Sequence, residues 1–258
     1  MCELLGMSAN VPTDIRFSFA GLKQRGGKTG PHKDGWGITF YEDKGCRTFK
    51  DPKPSFDSKI ADLIESYPIK SHFVVAHVRQ ANRGHVCLQN THPFTLPLWG
   101  RNWTFAHNGQ LTGYEQLDCG LWQPIGETDS ERAFCWLINQ MQHQFPQGTS
   151  DNIELFNFIH DACNKLTALG VFNMLLSDGN MLIAYSSKKL HWITRKAPFS
   201  TAQLLDEDVA VNFSEETTPS DIVTIIATEP LTSEPNWIKF NPNEMLVFTD
   251  GQIIAQYN

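Results

Sequence analysis

Cys2 is the first residue whose type and place could do chemistry. Methionine aminopeptidase removes Met1 when the next side chain is small, and Cys2 would then begin the chain with its own free α-amine. That amine has a pKa of about 7.7 to 8.0, so an appreciable fraction is neutral near pH 7 and can take the thiol proton. Nucleophile and base would come from one residue, with no separate histidine. The plain alternative is that Cys2 is only an N-terminal residue. The other cysteines, at 46, 87, 119, 135 and 163, form no CxxC or zinc-knuckle spacing and read as small buried hydrophobes.

Other chemistry-bearing patterns fall away on spacing. His72 and His77 lack the glutamate of an HExxH arrangement, and His77, His92 and His107 sit in separate segments. They read as structural or hydrogen-bonding histidines rather than zinc ligands, so no metal and no cofactor is expected. Gly27-Lys28-Thr29 resembles the end of a phosphate loop, but one residue too many separates Gly21 from Gly27, and Gly30, Pro31 and Gly35 prevent the helix that should follow. Asn102-Trp103-Thr104 matches a glycosylation acceptor, which matters only in a secreted protein.

The elements that must position these groups are legible in outline. Strands are expected at 2–7, 37–41, 73–78 and 103–106, and a short helix at 57–66. Pro12-Thr13-Asp14 reads as a helix start. Thr128-Asp129-Ser130-Glu131 has the capping-box form and precedes Phe134, Leu137, Ile138 and Met141 on one helical face. Asp151 with Glu154 opens a second helix that Gly170 can end as a left-handed residue. Strands follow, with hairpin turns expected at Asp178-Gly179 and Asp250-Gly251, and a surface loop at 212–221. Strands, two helices, then strands exclude a regular βαβ alternation and favour an α+β fold of antiparallel sheets covered by helices. No linker divides the chain, so 1–258 is read as one domain.

Composition bounds the rest. The 258 residues are 41% hydrophobic and 19% charged, which is globular rather than disordered. A net charge of −7 argues against a sequence-independent nucleic-acid binder. No apolar run approaches the roughly 20 residues of a membrane span, and the N-terminus lacks the form of a secretory signal. Scattered thiols suit a reducing compartment, so a cytoplasmic protein is expected.

Several short motifs occur in a telling order: Cys2-Glu3-Leu4-Leu5-Gly6, Asp34-Gly35-Trp36-Gly37, His77-Val78-Arg79-Gln80-Ala81, Asn90-Thr91-His92-Pro93-Phe94, Ala106-His107-Asn108-Gly109 and Glu127-Thr128-Asp129-Ser130-Glu131. Together with Gly170-Val171-Phe172-Asn173-Met174-Leu175 and Ile226-Ala227-Thr228-Glu229-Pro230-Leu231-Thr232, they resemble the class II glutamine amidotransferases, and within them the stand-alone YafJ type. The resemblance covers nearly the whole chain. It implies the four-layer αββα sandwich of N-terminal-nucleophile hydrolases. It implies that Cys2 attacks the side-chain amide of glutamine to give a γ-glutamyl thioester and ammonia. Asn108 and Gly109 match the oxyanion hole, Arg79 the clamp on the substrate α-carboxylate, Asp129 the acceptor of its α-ammonium and His92 a wall of the site. His107, in the Asn108-Gly109 motif, is placed with the substrate-binding residues.

Plainer readings stand beside these roles. Asp129 could serve only its helix, Arg79 could be a strand-end charge, and Asn108-Gly109 alone reads as a tight turn. Amidotransferases fused to synthase domains usually carry an aromatic residue and a threonine where this chain has Gln80 and Asn82, so the pocket could take another γ-glutamyl compound. The expected function is a glutaminase or amidotransferase that passes ammonia to a separate acceptor protein. Its alternatives are a hydrolase of a conjugated γ-glutamyl amide and a non-catalytic binding protein that kept the fold.

Overall fold

In the computed structural model, which describes residues 2–258, neighbouring side chains of the first strand enter different cores. Strand β1 (Glu3–Asp14) sends Leu5 and Met7 to one side and Leu4 to the other. A strand covered on both faces needs apolar residues at successive positions, which explains Leu4-Leu5 and Val74-Val75-Ala76. Met1, whose removal would free the Cys2 amine, lies outside the described residues.

After β1 come helix α1 (Arg16–Arg25), strands β2 (Trp36–Glu42) and β3 (Gly45–Asp51), helix α2 (Lys59–Ser66) and strand β4 (Lys70–Val78). Strands β5 (Phe94–Leu98) and β6 (Arg101–Leu111) precede helices α3 (Asp129–Gln144) and α4 (Asn152–Thr167). Strands β7 (Gly170–Ser177), β8 (Leu182–Ser186), β9 (His191–Lys196), β10 (Thr201–Gln203) and β11 (Ala210–Asn212) follow. The short helix α5 (Phe213–Glu216) leads to β12 (Ile222–Ala227), β13 (Ile238–Lys239), β14 (Glu244–Thr249) and β15 (Gln252–Tyr257).

The strands make two large antiparallel sheets, in the orders β13-β9-β12-β1-β4-β2-β3 and β15-β14-β8-β7-β6-β5. Three apolar clusters fill three interfaces. Phe19 and Leu22 of α1 and Ile64 of α2 pack on Leu5, Ile38, Val74 and Ile225 of the first sheet. Leu4, Val75 and Ile226 meet Ala106, Leu175 and Leu246 between the sheets. Phe134, Leu137 and Met141 of α3 and Ile159 of α4 cover Phe105, Phe172 and Met174 of the second sheet. The result is the α+β, four-layer αββα arrangement expected from the motifs.

Local chemistry explains most element ends. Thr128 Oγ1 accepts from Glu131 N–H at 3.2 Å and Asp151 Oδ1 from Ile153 and Glu154 N–H, so both mid-chain helices start at their caps. The Glu131 carboxylate, however, takes the N–H groups of Ile125 and Gly126 instead of closing a capping box. Asp250 and Gly251, at φ 52° and 69°, make the tight β14–β15 turn. Residues 12–14 extend β1, pairing Thr13 and Asp14 with Ser71 and Lys70 beyond a bulge, and the expected helix follows at once: α1 begins at Arg16, whose N–H donates to Asp14 Oδ1 at 2.9 Å. Two expectations are corrected. Gly170 does not cap α4, whose C-cap is Ala168, but opens β7 against β6, where a Cβ would fall 2.1 Å from the Gln110 carbonyl oxygen. The loop at 212–221 contains α5.

Candidate active site

The β1–β4 register sets Glu3 opposite Val78, so the residues just outside the pairing, Cys2 and Arg79-Gln80, lie side by side. Gln80 N–H donates to Cys2 Sγ at 3.3 Å, and Sγ lies 3.5 Å from the Gln80 carbonyl oxygen. Asp34-Gly35 braces this strand end from the other side: Arg79 N–H donates to Gly35 O at 2.7 Å and Ala81 N–H to Asp34 Oδ2 at 2.7 Å. Cys2 is half-buried, and desolvation pushes its thiol up to about 11, against the opposing pull of the Gln80 N–H and the Arg79 charge. A thiol so placed stays protonated near neutral pH and needs a base to react.

A pocket partly open to solvent gathers most of the expected residues: Cys2, Arg79, Gln80, Asn82, His92, His107, Gly109 and Asp129 all line it. Arg79 is only 3% exposed, which rules out a strand-end surface charge. Its Nη1 donates to His85 O at 3.0 Å and its Nη2 to Arg83 O at 2.9 Å and Gly84 O at 3.3 Å, so the guanidinium organises the loop after β4. Asp129 is the first residue of α3. Its Oδ2 accepts from Leu111 N–H at 2.7 Å and its Oδ1 from Ser130 N–H at 3.0 Å, so the helix is capped by Thr128 while Asp129 ties α3 to the end of β6.

Asn108 and Gly109 are not a turn. They lie inside β6, paired with Asn173 and Phe172 of β7. Gly109 is required because a Cβ would sit 1.8 Å from the Val171 carbonyl oxygen. Asn108 is wholly buried and does not line the cavity. Its Nδ2 donates to Thr228 Oγ1, just past the end of β12, at 3.3 Å, while its Oδ1 has no hydrogen-bond partner among the described residues. Thr228 Oγ1 also accepts from Leu4 N–H at 2.9 Å, so one hydroxyl joins β1 to the amide of β6.

Three histidines are buried behind the thiol. His107 places Nδ1 2.8 Å from Ser130 Oγ and Nε2 3.2 Å from the Val171 carbonyl oxygen. A carbonyl only accepts, so Nε2 carries the proton and Nδ1 accepts from the serine. His77 and His92 stack with centroids 4.1 Å apart. Among the described residues the His92 nitrogens have no hydrogen-bond partner, and His77 has at most a weak contact with the His107 carbonyl. Burial lowers His77 to about 3 and lowers His92 and His107 too, so all three are neutral near pH 7. Among the described residues no three His, Cys, Asp or Glu side chains are arranged to hold a metal ion.

Two parts of the site carried no local signal. Arg25 pairs with Glu3, beside the thiol, at 3.1 Å and with Asp206 at 2.7 Å, and donates to Glu229 O at 3.0 Å and Pro230 O at 2.5 Å. Thr228 stood in a recognised motif but gained a role only when the two sheets met. The pairs Glu3–Arg25 and Leu4–Thr228 join residues distant in sequence, which spacing alone cannot disclose.

The sequence profile of the glutamine amidotransferases class-II matches residues 1–258, and the chain belongs to this family. It is 63% identical over 255 residues to a protein of Escherichia coli (strain K12) named "Putative glutamine amidotransferase YafJ", covering 99% of this chain and 100% of that one. A crystal structure of a predicted glutamine amidotransferase from Pseudomonas aeruginosa PA01 is similar with a TM-score of 0.79 and 48% identity, over 98% of this chain and all of the other. The glutamine phosphoribosylpyrophosphate amidotransferase of B. subtilis shares the fold, with a TM-score of 0.64 at 16% identity, over 99% of this chain and 49% of that longer chain.

Proposed function

We propose that the protein is a glutamine amidohydrolase whose nucleophile is Cys2 with its own α-amine as base, once Met1 is removed. The observation that carries this reading is the convergence on one cavity of a thiol, a buried guanidinium and a carboxylate, each held by backbone partners. Arg79 brings a buried positive charge to the cavity wall, which suits an α-carboxylate. Asp129 receives the α-ammonium. A cation for one end and an anion for the other select an amino acid, whose side-chain amide then extends to Cys2.

The amine takes the thiol proton as sulfur attacks the amide carbon, forming a C–S bond and an oxyanion. Gly109 N–H and Asn108 Nδ2–H stabilise that oxygen. Asn108 lies behind the cavity wall, and turning its amide over would let Oδ1 accept the Thr228 hydroxyl proton and free Nδ2; the unpartnered Oδ1 among the described residues supports such a turn. The α-ammonium returns its proton to the leaving nitrogen, the C–N bond breaks and ammonia departs. Water attacks the thioester, releases glutamate and restores the thiol. Gln80 and Asn82 on the wall also favour a second reading, in which a larger γ-glutamyl amide is the substrate. The ammonia acceptor, in the first reading, is a separate protein.

Intact mass of the purified protein, followed by ammonia release from glutamine and from γ-glutamyl amides, tests the proposal. The expected result is a chain beginning at Cys2 that turns over one of these substrates, and a Cys2→Ala variant that turns over none. Turnover no better than that of Cys2→Ala would leave a binding protein.

A further inference from the structure

Asn90 is wholly buried between the two walls of the cavity without lining it. Its Nδ2 donates to the His85 carbonyl at 3.0 Å, the same oxygen that accepts from Arg79 Nη1 at 3.0 Å. Its Oδ1 accepts from Glu127 N–H at 2.9 Å, two residues before Asp129. One amide thus spans from the loop that Arg79 organises to the turn that launches α3. Both segments close on it through glycines: a Cβ on Gly126 would fall 2.2 Å from Asn90 Oδ1, and one on Gly84 3.0 Å from Nδ2 and 3.5 Å from Arg79 Nη2. Only a short amide offers a donor to one side and an acceptor to the other; aspartate lacks the donor and alanine lacks both.

We propose that Asn90 is a positioning residue that sets the separation of Arg79 and Asp129, and so the fit of the site to the α-amino-acid head of its substrate. This rests on the clamp assigned above and adds the side chain that holds its two halves in register. A shift of the order of 1 Å between charged groups is costly in an oriented site.

The test compares two thiol reagents, each followed at Cys2 by peptide mass: 6-diazo-5-oxo-norleucine, which carries the amino-acid head, and iodoacetamide, which does not. In Asn90→Asp the residue keeps its size and its acceptor for Glu127 but loses the donor to His85. Labelling by the diazo reagent is expected to slow about tenfold or more, while the iodoacetamide rate stays within about twofold of wild type. Gly126→Ala crowds the same amide from the Asp129 side, should show the same selective loss, and decides the matter if Asn90→Asp does not fold. Equal loss toward both reagents, or no loss in either folded variant, overturns the proposal. Wild-type protein that the diazo reagent fails to label would bring down the clamp and this inference together; labelled wild type with unchanged variants brings down this inference alone.

Discussion

A thiol whose burial holds its proton and an amine that titrates near 8 cannot both govern the rate, and the pH profile separates them. Burial is what keeps the Cys2 proton in place, outweighing the Gln80 N–H and the Arg79 charge that favour the thiolate. If the α-amine is the base, kcat/KM rises with pH as that amine loses its proton, around its ordinary pKa of about 7.7 to 8.0. A profile that stays low through that range and rises only in stronger base, as the buried thiol ionises, would remove the amine from the mechanism. Arg79 and Asn108 should fail in different ways. Arg79→Ala should raise KM with a smaller effect on kcat, because a carboxylate clamp acts in ground and transition states alike. Asn108→Ala should lower kcat by about a hundred- to a thousandfold, the usual loss for one oxyanion donor. Steady-state kinetics with glutamine that showed the reverse split would mean the roles are exchanged.

The elements show why some of this was legible and some not. The caps at Thr128 and Asp151 and the turn at Asp250-Gly251 depend on contacts within a few residues, so their chemistry is visible in a short window of sequence. The motifs likewise placed Cys2, Arg79 and Asp129 among the site residues, and those three meet in one cavity. Asn108-Gly109 reads locally as a turn, yet pairing with β7 keeps it extended, because the register of two strands outweighs a dipeptide preference. Asn90, Thr228 and the Glu3–Arg25 pair needed the sheets assembled before their partners could be seen. β6 supplies the test at this scale. In Gly109→Ala the new methyl group meets the Val171 carbonyl in the neighbouring strand, and chemical denaturation should find the protein about 1–3 kcal/mol less stable. Unchanged stability would mean that β6 and β7 are not so closely apposed.

Across the whole molecule, the two-sheet sandwich buries neutral histidines beside the candidate site, and acid should expose the consequence. A histidine whose folded pKa is depressed binds its proton more readily when unfolded. Its contribution to stability is complete above the unfolded value of about 6.5 and is lost as pH falls toward the folded value, about 3 for His77. The slope for each such residue is at most about 1.4 kcal/mol per pH unit. Denaturation midpoints measured between pH 7 and 4 should therefore fall less steeply for a folded His77→Leu variant than for the wild-type protein; parallel curves would mean that His77 is not held neutral. The same sandwich brings the first described residue of the chain against Arg79 and Gln80, which sets the central claim: Cys2, freed at the N-terminus, is acylated by the γ-carbonyl of its substrate. Mixing the protein with glutamine, quenching in acid within a turnover and weighing the intact chain tests this most directly. The expected product is a chain without Met1 that gains one γ-glutamyl group, mapped to Cys2 and lost on treatment with hydroxylamine. Ammonia released with no adduct on Cys2, or from a chain that still carries Met1, would contradict it.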